Sequence, residues 1–263
     1  MLGDPFQLPP VEKGACFADF ANFNKETIFT HSHLDICFRA EAKNLIELAA
    51  TIKQRTNQEV LSFLSKKSSN IFYDPLKDES PQNIKEKCLD FYLEQLPKNL
   101  PDKEQDYLEL FNQIKILIPL RRGAAGLEEV NSYVNHHLKK YIKTKNSYIF
   151  PIILKNNSRD FNLFNGEIGV FIYLNPSNSY TTVHNYALFQ KEASEVVKVP
   201  QSLLPDFELA YCLSVHKSQG SEFKKVMIAL PPGSELFGKE VFYTAVTRAK
   251  RDLHLLSNET RLK

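Results

Sequence analysis

The run IKILIPL at residues 114–120 constrains this chain more than any other stretch, because it offers no polar face and reads as a strand covered on both sides. It leads into RRGAAGLEEVNSYVNHHLKKYI, a glycine-bearing turn followed by an amphipathic helix with Leu127, Val130, Tyr133, Val134 and Leu138 on its apolar side. The same order returns near the end of the sequence, where the apolar strand KVMIALP precedes the helix VFYTAVTRAK and the strand DLHLL. Upstream, AEAKNLIELAATIKQ places Leu45, Leu48, Ala49 and Ile52 at helical spacing and Lys43, Glu47 and Lys53 opposite them. Strands that need cover on both faces, alternating with one-sided helices, predict an α/β fold.

Two stretches depart from that texture. Residues 65–113 hold KKSSN, DPLKDESPQN and PKNLPDKEQD around a short helical patch, and read as a polar linking region. Residues 147–205 break into short β-type runs (YIFPIIL, GEIGVFIYL, YTTVHNYALF, EVVKVP) separated by Asn, Ser, Gly and Pro, which predicts a small β-barrel or meander inserted in the α/β domain. The opening MLGDPFQLPPV reads as the end of a strand running into a double-proline turn, as in the middle of a domain. At 263 residues, 43% hydrophobic and with 19 Phe and 11 Tyr, the chain has enough apolar mass for a sizeable core.

Lys and Arg (33) nearly balance Asp and Glu (31), so any basic binding surface has to be local. Cys16, Cys37, Cys88 and Cys212 are scattered without a C-x-x-C pair, which points to reduced thiols and a cytoplasmic protein. No long apolar run or leader-like segment predicts a membrane span or secretion. His31 and His33 have metal-ligand types but no third ligand at a matching spacing, and adjacent His136 and His137 point different ways on a helix, so no metal site is expected. No carboxylate cluster of the kind a nuclease metal site needs is evident. Aromatics in YIFPIIL and GVFIYL are candidates for base stacking, although strand aromatics usually fill a core.

Three segments carry candidate chemistry: GDPFQLPPV at residues 3–11, LSVHKSQGSEF at 213–223 and YTAVTRAK at 243–250. Singly each has an ordinary structural reading as a proline turn, a strand-to-helix turn and a helix end. Together they supply a set of phosphate-directed groups. Arg39 and Arg248 are forked, permanently charged donors suited to phosphate oxygens, including a transferring γ-phosphoryl group. Gln7 combines donor and acceptor beside a strand end, suited to sensing a water or phosphate. Ser214, His216, Lys217 and Ser218 can face a backbone phosphate, Gly220 permits close approach, and Glu222 can accept from a ribose hydroxyl or water.

With FRAEAKNLIELA, ILIPLRRGAAGLEEVN and NGEIG, these segments resemble successive motifs of RecD-like superfamily 1 DNA helicases, the type of the exodeoxyribonuclease V alpha subunit. The resemblance spans most of the chain outside the polar stretch and begins at the GDxxQL motif. It implies a second RecA-like motor domain, of P-loop NTPase-type fold, over residues 31–146 and 206–263, a small β-barrel insertion over 147–205, and a terminal fragment of the first RecA-like domain over 1–30. It further implies that Gln7, Arg39 and Arg248 act in catalysis, that Arg39, Arg248, Gly220 and Glu222 bind nucleotide, and that Ser214, His216, Lys217 and Ser218 bind DNA. It also implies 5′ to 3′ movement on single-stranded DNA, a role in recombination and double-strand break repair, and RecBC-type subunits or a complementary N-terminal half as partners.

One departure limits that expectation. The phosphate loop G-x-x-x-x-G-K-[ST], which holds ATP and Mg²⁺ in such motors, lies upstream of GDxxQL in the family and does not occur in these residues. GSELFGK at 233–239 copies its spacing, but Glu240 follows the lysine and Pro231 and Pro232 remove two amides, so it reads as a connecting loop. The expectation is therefore a motor half that uses ATP and Mg²⁺ only with the N-terminal half and holds no cofactor alone. The alternatives are a non-catalytic DNA-binding or subunit-interaction module, and a remnant without activity.

Overall fold

The computed structural model describes residues 4, 6–8, 41–54, 56–66, 68–97, 100–142, 147–174, 184–191 and 195–262. The helices are α1 (Lys43–Gln54), α2 (Asn57–Leu64), α3 (Pro81–Gln95), α4 (Asp106–Gln113), α5 (Leu127–Leu138) and α6 (Lys239–Val246). The strands are β1 (Ile71–Pro75), β2 (Ile114–Leu117), β3 (Ser147–Leu154), β4 (Ile168–Leu174), β5 (Tyr186–Gln190), β6 (Val196–Pro200), β7 (Phe207–Leu209), β8 (Cys212–Leu213), β9 (Phe223–Leu230) and β10 (Ala249–Ser257).

Five strands form a wholly parallel sheet in the order β1-β10-β9-β2-β8. Alternate side chains of this sheet enter different cores, as the pleat requires. Ile116, Met227, Ala229 and Leu256 pack with α3, α4 and α5. Leu117, Val226, Ile228 and Leu255 pack with α1, α2 and α6. The helix expected around Leu45, Leu48 and Ile52 is α1, and those three side chains are its buried stripe.

Residues 65–113 form no simple linker. β1 pairs in parallel with β10, while α3 buries Ile84, Cys88, Phe91 and Tyr92 and α4 buries Tyr107, Leu108 and Phe111. Proline and charge mark only the surface turns of this stretch, with Ser80 capping α3 ahead of a proline in its first turn. The Tyr92 hydroxyl donates to the carbonyls of Tyr211 (2.7 Å) and Ile114 (3.2 Å), tying α3 to the sheet edge. Burial pushes the Cys88 thiol up to about 12, and Cys212 rises for the same reason, so neither is poised as a nucleophile.

The second sheet is antiparallel in the order β6-β5-β4-β3-β7. Among the described residues no pairing joins β6 to β7; β3 to β6 follow one another as in the expected meander, and β7, which runs to Leu209, past the expected boundary, adds beside β3. The strand aromatics mostly fill cores: Phe150 stacks on Phe171 (5.1 Å between centroids) and Phe171 on Phe207 (5.4 Å). Tyr173 is the exposed exception in β4. In the NGEIG segment, Gly166 adopts φ +91°, a left-handed turn position that favours glycine, ahead of β4.

Among the described residues the parallel sheet ends at β8, whose outer backbone edge faces α5. There Asn131, 3% exposed, accepts from the Cys212 amide (2.8 Å) and donates to the Cys212 carbonyl (2.9 Å). One side chain thus replaces a missing neighbouring strand for the strand that launches the SVHKSQG loop. Asn131→Leu is expected to destabilise the fold by about 2–3 kcal/mol, because two buried backbone groups lose their partners; urea unfolding would measure it.

Lys115 points into the core from β2, fully buried, with its ammonium donating to the Phe111 carbonyl at 2.7 Å. Burial lowers its pKa from 10.5 to about 7. Between those values the unfolded chain binds the extra proton, so this lysine makes stability rise as pH rises from about 7 and costs most below it. Lys115→Met should therefore stabilise the protein most at pH 6, and the gain should shrink toward pH 10 in thermal melts taken across that range.

Candidate nucleotide and nucleic-acid interface

The three motif segments meet in space. Near the start of the described residues, the Gln7 amide donates to the Asp4 carbonyl at 3.3 Å. The Tyr243 hydroxyl of α6 donates to the Asp4 carboxylate (2.9 Å), and the Leu8 amide donates to the hydroxyl of fully buried Thr244 (2.9 Å). Gln219, in the SVHKSQG segment, donates through Nε2 to the Leu8 carbonyl at 3.0 Å. Phe6 lies edge-on to Tyr243, and the Lys53 ammonium at the end of α1 sits 3.7 Å over its ring. Gln7 is half-buried at this junction. Local sequence explains the arrangement of α6: Val241 and Ala245 are turned to the sheet, which leaves Tyr243 and Thr244 for the N-terminal segment.

Residues 214–222 carry the chain from the carboxyl end of β8 to the amino end of β9. The SVHKSQ turn is self-bonded: Ser214 Oγ accepts from the Lys217 amide (3.3 Å), and the Ser218 amide donates to the Ser214 carbonyl (3.1 Å). Gly220 takes φ +81° with open space where a Cβ would stand, so the backbone there is approachable. His216 is exposed and Ser214 half-buried. Lys217 is ion-paired with Glu208 of β7 at 2.5 Å. Glu222 is ion-paired with Lys250 at 2.9 Å.

Two expected roles meet a different environment. Ser218 is fully buried and its hydroxyl donates to the Val215 carbonyl at 2.7 Å, so it closes the turn from inside and presents no group to a DNA phosphate. Arg248 is 1% exposed; its Nε donates to the Thr244 carbonyl, Nη1 to the Ser221 carbonyl and Nη2 to the Thr247 hydroxyl, each at 3.1 Å. Its guanidinium therefore ties the C-terminal end of α6 to the SVHKSQG loop. Arg39, with His31, His33, Cys16 and Cys37, lies outside the described residues.

GSELFGK joins β9 to α6, with Gly233 at φ +96° and its amide donating to Glu235 (2.9 Å), a turn without a phosphate cradle. Among the described residues no three His, Cys, Asp or Glu side chains cluster as metal ligands. Sequence reading missed Asp4, Tyr243, Thr244 and Gln219 as contacts, although each lies in a quoted motif. It had no means of finding Glu208, whose partners Lys217 and Arg121 lie in other loops.

Residues 209–256 match the model of the UvrD-like helicase C-terminal domain. The chain is 27% identical over 229 residues to RecBCD enzyme subunit RecD of Buchnera aphidicola subsp. Acyrthosiphon pisum, covering 81% of this chain and 36% of that protein. RecBCD enzyme subunit RecD of Mycolicibacterium smegmatis is 24% identical, with 100% of this chain and 46% of that protein covered. The ATP-dependent RecD2 DNA helicase of Deinococcus radiodurans is 26% identical over 148 residues, 52% of this chain and 19% of that protein. The chain thus spans less than half the length of these relatives. Among solved structures, Pif1 helicase from Candida albicans shares the α/β fold with a TM-score of 0.51, at 16% identity over 99% of this chain and 64% of that one. In its motifs and in the matched helicase domain the chain is similar to the C-terminal portion of RecD-like superfamily 1 helicases.

Proposed function

We propose that this chain is the C-terminal motor portion of a RecD-like ATP-dependent DNA helicase that moves 5′ to 3′ and serves recombination and double-strand break repair in the cytoplasm. The observation that carries the reading is the junction of Asp4–Leu8 with Gln219, Tyr243 and Thr244, which physically links the three motif segments. A linkage of that kind lets a change at a nucleotide be felt at a DNA-facing loop. Gln7 lies within it, Gly220 and Glu222 line the amino edge of the sheet beside Lys250, and His216 and Lys217 stand toward the carboxyl edge. In this reading ATP and Mg²⁺ are held mainly by a phosphate loop outside these residues, upstream in the same protein or on a partner, and the partners are single-stranded DNA and RecBC-type subunits. Arg39 and Arg248 reach the γ-phosphate, Arg248 by exchanging the carbonyls of Ser221 and Thr244 for phosphate oxygens when nucleotide seats. Among the described residues no helix is long and apolar enough to cross a membrane.

One observation favours a second reading, a non-catalytic DNA-binding or subunit-interaction module: Arg248 is 1% exposed and fully engaged within the fold. ATP turnover with and without single-stranded DNA separates the two. The motor reading expects turnover only when this chain is combined with a RecD-type N-terminal half. Arg248→Lys should then lower that turnover about 10³-fold and leave DNA binding intact. DNA binding with no turnover in any combination would favour the module. Thr244→Val should weaken the junction by about 1 kcal/mol, read as faster amide exchange at residues 6–8.

A further inference from the structure

Glu208 occupies the middle of β7, the strand of the antiparallel sheet that leads directly into the parallel sheet through β8. Its two carboxylate oxygens hold two cations from two other places in the chain. Oε1 takes the Lys217 ammonium at 2.5 Å, and Oε2 takes Nη2 of Arg121 at 3.1 Å. Arg121 follows β2 in the RRGAAG turn and is steadied by Glu128 of α5, which accepts from its Nε at 3.0 Å. Gly126 in the same turn admits no side chain, since a Cβ would stand 2.6 Å from the Arg122 backbone, so the turn that aims Arg121 is set by close packing. The Arg121 side chain is 52% exposed and that of Lys217 28%, so both charged heads border solvent.

A carboxylate holding an ammonium on one oxygen and a guanidinium on the other occupies the place, and makes the contacts, of two oxygens of a phosphodiester. Both cations lie in loops at the carboxyl ends of parallel strands β2 and β8, the edge at which open α/β sheets bind ligands. We infer that Lys217 and Arg121 form a two-cation clamp for a backbone phosphate of single-stranded nucleic acid, and that Glu208 is its displaceable counter-ion, delivered by the antiparallel sheet. The inference rests on the reading that the SVHKSQG loop serves DNA, and adds Arg121 to that surface with a competitor for it. An entering phosphate has to displace Glu208 from both cations, so strand binding and the seating of β7 against the two loops oppose each other.

The experiment is a salt titration of binding between the full chain and a fluorescent thymidine oligonucleotide, for the wild type and the variants Glu208→Gln, Lys217→Ala and Arg121→Ala. Glu208→Gln keeps the side-chain shape and removes the competing charge, so it should tighten binding about two- to fivefold at low salt. Lys217→Ala and Arg121→Ala should each weaken binding and lower the salt slope by about 0.7. Combining Glu208→Gln with Lys217→Ala and Arg121→Ala should abolish the tightening. Glu208→Ala gives a second reading of the same prediction, with thermal melts of both Glu208 variants separating lost fold from lost charge. Unchanged or weaker binding by well-folded Glu208 variants, with both cation variants weakened, would overturn the counter-ion role and leave the DNA-facing loop standing. Wild-type binding that neither cation variant alters would overturn the clamp. Absence of binding by the wild type would overturn the DNA reading on which the inference rests.

Discussion

Both faces of a parallel sheet must be covered, and nearly everything else in this structure follows from how that is done. β2 is buried at all four of its residues and lies between β9 and β8, so helices have to approach from both sides. α1, α2 and α6 take one face, and α3, α4 and α5 the other. The loops that connect these layers emerge at the sheet ends, where the chemically distinctive residues collect. Asn131 completes the cover at β8, the edge strand among the described residues, by taking up both the amide and the carbonyl of Cys212.

That arrangement makes the motif segments structural partners before they are anything else. Thr244 and Tyr243 hold the N-terminal segment, Gln219 holds it from the second side, and Arg248 ties the end of α6 to Ser221. Each contact uses a side chain that also has phosphate-binding chemistry or stands next to one that has it. The Arg248 guanidinium shows the tension most clearly, because satisfying it inside the fold removes it from the surface in this conformation. On the opposite edge, Lys217 and Arg121 sit at the surface with their charges balanced by a strand of the other sheet.

Much of the fold was legible in the sequence. IKILIPL and KVMIALP are central strands, and the apolar stripes of α1 and α5 are the ones their spacing indicated. Residues 65–113 were misread because their turns are dense in proline and charge, while β1 pairs with distant β10 and Tyr92 of α3 bonds to distant Tyr211. The antiparallel strands were legible from their short apolar runs, but their closure was not, since pairing of the first and last strands depends on sheet twist and length and leaves no local pattern. At the candidate site Gly220 and His216 are exposed and Lys217 is half-buried in an ion pair, and the burial of Ser218 did not follow from its type.

The sequence by itself determined the α/β class, the central strands and the apolar stripes of α1 and α5, because periodicity and residue type are local properties. Only the tertiary structure decided which of those side chains face solvent and which are held inside. The bond from Arg248 to Ser221, the capping of β8 by Asn131 and the pairing of Glu208 with Arg121 each join residues far apart in the chain. Such contacts exist only once the sheet brings its loop ends together, since charge and hydrogen-bond energies depend on distance and burial rather than on position along the chain.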